Sequence, residues 1–169
     1  AGTWRGGLGL YSPNANTVDA AYTPTLAEVA SGSVTLTLRS TGNGNCLEEV
    51  DNMTITFTPA PTVDAGANIT VCAATPQAQL NGQVFLPATG GIWSGGAGTY
   101  SAGNTNLSSI YTPTATEIAA GSVTLTLTST GNGNCTPVTD QVTIIISPIP
   151  TVTAGPDLTS CANNSQVLL

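Results

Sequence analysis

Between Ser122 and Thr128, Val123, Leu125 and Leu127 alternate with threonines. A two-residue period predicts a β-strand with one apolar face and one hydroxyl-bearing face. Gly131-Asn-Gly-Asn134 follows, and such residues tolerate positive φ, so the strand stops and turns before Cys135. The same stretch stands at Ser33–Cys46, with Arg39 in place of Thr128. A second strand is predicted at Met53–Phe57 and again at Val142–Ile146. Thr58-Pro-Ala-Pro61 and Ser147-Pro-Ile-Pro150 end those strands and read as linkers, because proline cannot donate to a ladder and stiffens the chain. Asn68–Cys72 and Asp157–Cys161 then each open another strand.

Upstream of the alternating strands lie two more recurring features. Gly2-Thr-Trp-Arg-Gly-Gly and Gly91-Ile-Trp-Ser-Gly-Gly each set one tryptophan among glycines, which predicts a short strand with a bend. In Thr25-x-x-Glu28 and Thr114-x-x-Glu117 the spacing of a capping box is present, with Gly32 and Gly121 as the stop of a single helical turn. Residues 13–20 and 102–109 are the most divergent and read as surface loops.

Cys46 and Cys135, Cys72 and Cys161, Trp4 and Trp93, and Tyr22 and Tyr111 all stand 89 positions apart. One ungapped period of that length predicts an all-β chain of tandem β-sandwich repeats of about 89 residues. The phase divides it into 1–59, an incomplete sandwich lacking its first strands, 60–148, a complete one, and 149–169, the opening strands of a third. The expectation is a segment of a longer array.

Composition narrows the function. Charged residues are 7% of the chain, Arg5 and Arg39 are its only basic residues, there is no histidine, and the net charge is −7. Nucleic acid and anionic membrane surfaces call for clustered basic residues, so neither is an expected partner. Membrane insertion is not expected either, since no apolar run approaches the ~20 residues of a spanning helix. Histidine-based triads and zinc sites are excluded outright. No catalytic residue, cofactor or metal is expected, and the chain reads as a non-enzyme. Asp51 and Asp140 recur and could serve calcium, but no Asp-x-Asp run accompanies them. Glu28 and Glu117 also recur, and helix capping accounts for them. Asn52, Asn68, Asn106, Asn134 and Asn163 begin Asn-x-Ser/Thr triplets.

The four cysteines suggest an oxidising compartment, hence an extracellular or cell-surface location. If the loop before the last strand lies at the same end of the sandwich as the start of the first strand, where Cys72 is placed, Cys72 pairs with Cys135 inside one domain. Cys46 and Cys161 then await partners in neighbouring repeats or subunits. On this reading 149–169 of one unit completes 1–59 of the next, covalently or by strand donation, and Cys161 meets Cys46 of that next unit.

Gly-x-Trp-x-Gly-Gly, Tyr-Thr-Pro-Thr-x-x-Glu, Gly-Ser-Val-Thr-Leu-Thr-Leu, Gly-Asn-Gly-Asn-Cys and Pro-Thr-Val-x-Ala-Gly together resemble the PKD-like, immunoglobulin-like tandem repeats of very large secreted bacterial surface proteins. These are typical of gliding Bacteroidetes-type bacteria, and some act as adhesins. The resemblance implies a structural segment of an extracellular filament, stalk or adhesin, whose partners are neighbouring copies of the same repeat. The alternative is a glycan-binding module with Trp4 and Trp93 as platforms for surface glycans. Both rings are expected to lie largely buried in the core, which would favour the first reading; solvent-open rings would favour the second.

Overall fold

The computed structural model describes residues 1–163 and 166–168. Among them the chain is all-β apart from two six-residue helices. It forms β1 (Gly2–Arg5), β2 (Leu10–Ser12), β3 (Ala21–Thr23), α1 (Leu26–Ser31), β4 (Ser33–Ser40) and β5 (Val50–Thr56). Then come β6 (Thr62–Asp64), β7 (Ile69–Cys72), β8 (Ala78–Gln79), β9 (Gln83–Phe85), β10 (Gly90–Ser94), β11 (Thr99–Tyr100) and β12 (Ile110–Thr112). Last are α2 (Ala115–Ala120), β13 (Ser122–Thr130) and β14 (Thr139–Ser147). The predicted strands are present except at Asp157–Cys161, and β5 and β14 start earlier than the apolar alternation implied. Their first residues join through ladder pairs such as Arg39↔Val50 and Thr128↔Thr139, which hydrophobicity does not mark.

Two compact units divide these elements: residues 1–62 with 84–90 and 129–138, and residues 63–83 with 91–128 and 139–169. One sheet has the order β1-β4-β5 and another β10-β13-β14-β7. Their shared part is the same ladder. Leu36 faces Met53 across β4–β5, and Leu125 faces Val142 across β13–β14. The difference lies at one edge, where β7 adds to β14 in parallel, with Ile69 opposite Ile144 and Cys72 opposite Ser147.

The alternation expected for the key strand is visible in its burial. Val123, Leu125 and Leu127 are buried, with Leu125 and Leu127 fully so, while Ser122 and Thr124 face solvent. Around them the core collects Trp93, Tyr111, Leu80, Val142 and Ile144, all at 0% exposure. The hydroxyl face is bound across strands, as in Thr124 to Thr143 and Thr35 to Thr54.

Both helices form with complete capping boxes. Thr25 and Thr114 accept the N–H of Glu28 and Glu117, and each glutamate returns to the N–H of its threonine. Gly32 and Gly121 close them at φ 84° and 79°, a left-handed geometry that favours glycine.

Candidate assembly site

The glutamates do more than cap. Glu117 Oε1 accepts the Ala97 N–H at 2.8 Å and the Tyr111 hydroxyl at 2.8 Å, while Oε2 takes the Thr114 N–H at 2.7 Å. Glu28 repeats this with Leu8, Tyr22 and Thr25. Gly96 and Gly7 are both at φ 68°, and a side chain there would overlap the tyrosine hydroxyl. The Tyr-Thr-Pro-Thr-x-x-Glu motif and the glycine pair after tryptophan are thus two halves of one clasp. The Thr25 N–H leads the donors that hold the Glu28 carboxyl down to about 2, against the raising effect of burial. At Glu117 burial pushes the value up, but donors from Thr114, Ala97 and Tyr111 outweigh it and the net shift is downward. Burial pushes Tyr111 up to about 12, with the Glu117 charge adding to it. A carboxylate saturated by donors is a structural anchor, not a general acid.

Trp93 is fully buried, as expected, with its indole N–H on the Leu107 carbonyl at 3.3 Å. It is no platform for a sugar. Trp4 is less completely covered than Trp93, with its indole N–H on the Val18 carbonyl at 2.9 Å. Gly82 packs its backbone so closely over Trp93 and Leu127 that a Cβ there would lie 2.8 Å and 2.7 Å from them.

The same deficit runs along β5. Met53 is 46% exposed, whereas Val142 at its place on β14 is at 0%. Leu38 is half-buried and Leu127 fully so. A cleft of about 500 Å³ opens beside Gly2, Val18, Leu38, Val50 and Asp51. On β14 the corresponding edge is closed by specific bonds: Asp140 Oδ2 accepts the Ala65 N–H at 2.8 Å, and Asn68 Oδ1 accepts the Thr143 N–H at 2.9 Å. The Ala65 N–H, ahead of Gln141, draws the Asp140 carboxyl below its ordinary value. Asp140 is therefore committed to holding the β6–β7 segment. Among the described residues no group of three or more acids or thiols gathers as a metal site.

The chain carries a second version of that closing segment. Val152-Thr-Ala-Gly155 and Asp157–Cys161 match Val63-Asp-Ala-Gly66 and Asn68–Cys72. Gly155 is at φ 81° and Gly66 at φ 84°, so both turns share one geometry. Yet no strand forms between Pro148 and Ser160, Val152 is 100% exposed and Leu158 54%. The strand expected at Asp157–Cys161 does not form. Leu169, with Asn164 and Ser165, lies outside the described residues.

The Cys72–Cys135 bridge does not form, and all four cysteines are free thiols. Cys72 lies beside Ser147, at the end of β14, whereas Cys135 precedes its start at Thr139. Eight strand steps separate those ends, about 26 Å, while bridged Cα atoms lie within about 7 Å. The expectation took Cys72 for the start of the first strand, and it is the end. Cys135 instead points its thiol at the carbonyls of Thr58 and Pro59, 3.7 Å and 3.5 Å away. Nothing in the sequence alone marked that contact.

No protein-family model matches the chain, and no curated protein matches it. Among solved structures it is similar to the first two extracellular cadherin repeats of human mucin-like protocadherin, with 11% identity and a TM-score of 0.37 over 88% of this chain and 84% of that one. It is also similar to extracellular cadherin domains 3–6 of protocadherin gamma B2, with 14% identity and a TM-score of 0.38 over 87% of this chain and 40% of that one. The corresponding cis-dimer structure of protocadherin gamma B7 gives 15%, 0.37, 87% and 41%. The chain spans about 40% of the two longer protocadherin structures. No helix among the described residues is long and apolar enough to cross a membrane.

Proposed function

We propose that this chain is a structural segment of an extracellular filament, stalk or adhesin, built from repeats at 1–59, 60–148 and 149–169 that assemble head to tail. The observation that carries this reading is the open edge of β5 together with a second copy of the segment closing β14, whose Val152 and Leu158 are exposed. Segment 152–161 of one copy then adds to β5 of a second, as β7 adds to β14. Asp51 receives the Ala154 N–H there, as Asp140 receives that of Ala65, and Leu158 covers the exposed side of β5. Strand addition satisfies backbone groups that an open edge leaves to water. Because donor and acceptor are different surfaces, the contact does not close on itself and grows linearly.

The resemblance to PKD-like secreted repeats agrees with this role. As a sugar platform only Trp4 remains, and its ring is half-buried with its N–H already taken. Sedimentation of the full chain over rising concentration tests assembly. A ladder of linear oligomers is expected, with Leu158→Asp shifting the chain back to monomer. A chain that stays monomeric at millimolar concentration, or oligomers indifferent to Leu158→Asp, would overturn the proposal.

A further inference from the structure

The register that separates Cys72 from Cys135 also says where each thiol would find a partner. In the closed sheet, Cys72 lies beside Ser147, and the next residue, Ala73, donates its N–H to the Ser147 carbonyl at 2.9 Å. The position 89 before Ser147 is Thr58. The Thr58 carbonyl has no such strand beside it; the Cys135 thiol reaches it instead. A strand docked on β5 in the β7 register would therefore set its own cysteine next to Cys135. In segment 152–161 that cysteine is Cys161, followed by Ala162. The Ala162 N–H would take the Thr58 carbonyl, and the Cys135 thiol it displaces would face the Cys161 sulfur.

The same relation holds one repeat earlier. Cys46 occupies the loop position of Cys135, 89 residues before it. If Cys135 lies on the carbonyls that end one repeat, at Thr58 and Pro59, Cys46 of a second copy lies on Ser147 and Pro148 of the first. Cys72 of the first copy is already beside Ser147.

We infer that two disulfides lock each head-to-tail contact: Cys161 of one copy to Cys135 of the second, and Cys72 of the first to Cys46 of the second. This inference rests on the strand-addition reading above. It replaces both pairings expected from the sequence, and it accounts for four free thiols in one isolated chain. Each bridge forms by thiol–disulfide exchange with a disulfide oxidant such as oxidised glutathione. Two thiols lose two protons and two electrons to form the sulfur–sulfur bond, and the oxidant is reduced to two molecules of glutathione.

The test uses the full chain with oxidised glutathione, read by non-reducing electrophoresis and by mass spectrometry of chymotryptic peptides. Cross-linked peptides Cys135–Cys161 and Cys46–Cys72 between copies are expected. The double variant Cys46→Ser with Cys72→Ser keeps the ladder, and so does Cys135→Ser with Cys161→Ser. Cys72→Ser with Cys135→Ser, which leaves Cys46 and Cys161, loses it. A ladder from that last variant, or a Cys135–Cys161 bridge within monomers, overturns the inference. A parallel sedimentation run in reductant separates the two levels. Reduced oligomers that never acquire these bridges overturn the lock and leave strand addition standing. Monomers in reductant with no bridges after oxidation overturn both.

Discussion

Glu117 shows how one side chain serves several neighbours. Its two oxygens receive the N–H groups of Thr114 and Ala97 and the hydroxyls of Thr114 and Tyr111. An amide in its place offers two donors where donors already point. Glu117→Gln should therefore cost about 1–3 kcal/mol, the range for stranding a buried polar group. The pH dependence has a definite sign. Folded Glu28 titrates at about 2 and Glu117 also below its ordinary value, whereas an unfolded glutamate titrates near 4.3. Their contribution is present above the unfolded value and is lost as pH falls through the folded one. Thermal melts should be flat above about pH 5 and decline toward pH 2, with a shallower decline for Glu117→Gln. A melting temperature that rises on acidification would contradict this.

At the scale of elements, β5 and β14 begin as equals. Each pairs with its hairpin neighbour at the same seven positions, from Ser33↔Thr56 to Arg39↔Val50 and from Ser122↔Ile145 to Thr128↔Thr139. Among the described residues only β14 has a strand on its other side. The Thr143 N–H is bonded to Asn68 Oδ1, while Thr54, its counterpart on β5, faces the open edge. Hydrogen exchange of the reduced, dilute chain should release the Thr54 amide well before that of Thr143, since exchange follows local opening. Raising the concentration should slow Thr54 and leave Thr143 unchanged. Equal protection at the two positions in dilute solution would mean that β5 is already covered.

For the molecule as a whole, the net charge of −7 sets the conditions of assembly. Two copies repel, and among the described residues one ion pair is present, Arg39 to Glu48 at 2.6 Å on the surface. An attraction built on backbone bonds and apolar burial is not weakened by salt, but the repulsion is screened over about 10 Å at 0.1 M. Light scattering should therefore show faster growth of oligomers at 0.5 M salt than at 10 mM. Slower growth at high salt would point to ion pairing as the adhesive force.

The strands of the β4–β5 and β13–β14 hairpins, the capped helical turns and the buried Trp93 were legible in the sequence, because period, glycine placement and capping pairs are local properties of consecutive residues. The period of 89 also made plain that two stretches share one plan. Pairing between distant segments was not legible. Alternation says that Ile69–Cys72 is a strand, but not that it joins the second half of β14 in parallel. That register alone put Cys72 out of reach of Cys135. Likewise Trp4 and Trp93 share a motif, yet only Trp93 is fully covered, with Gly82 packed against it from elsewhere in the chain. Sequence determined which residues want a partner, and tertiary structure decided which of them had one, because burial and cross-strand bonds depend on segments far apart along the chain.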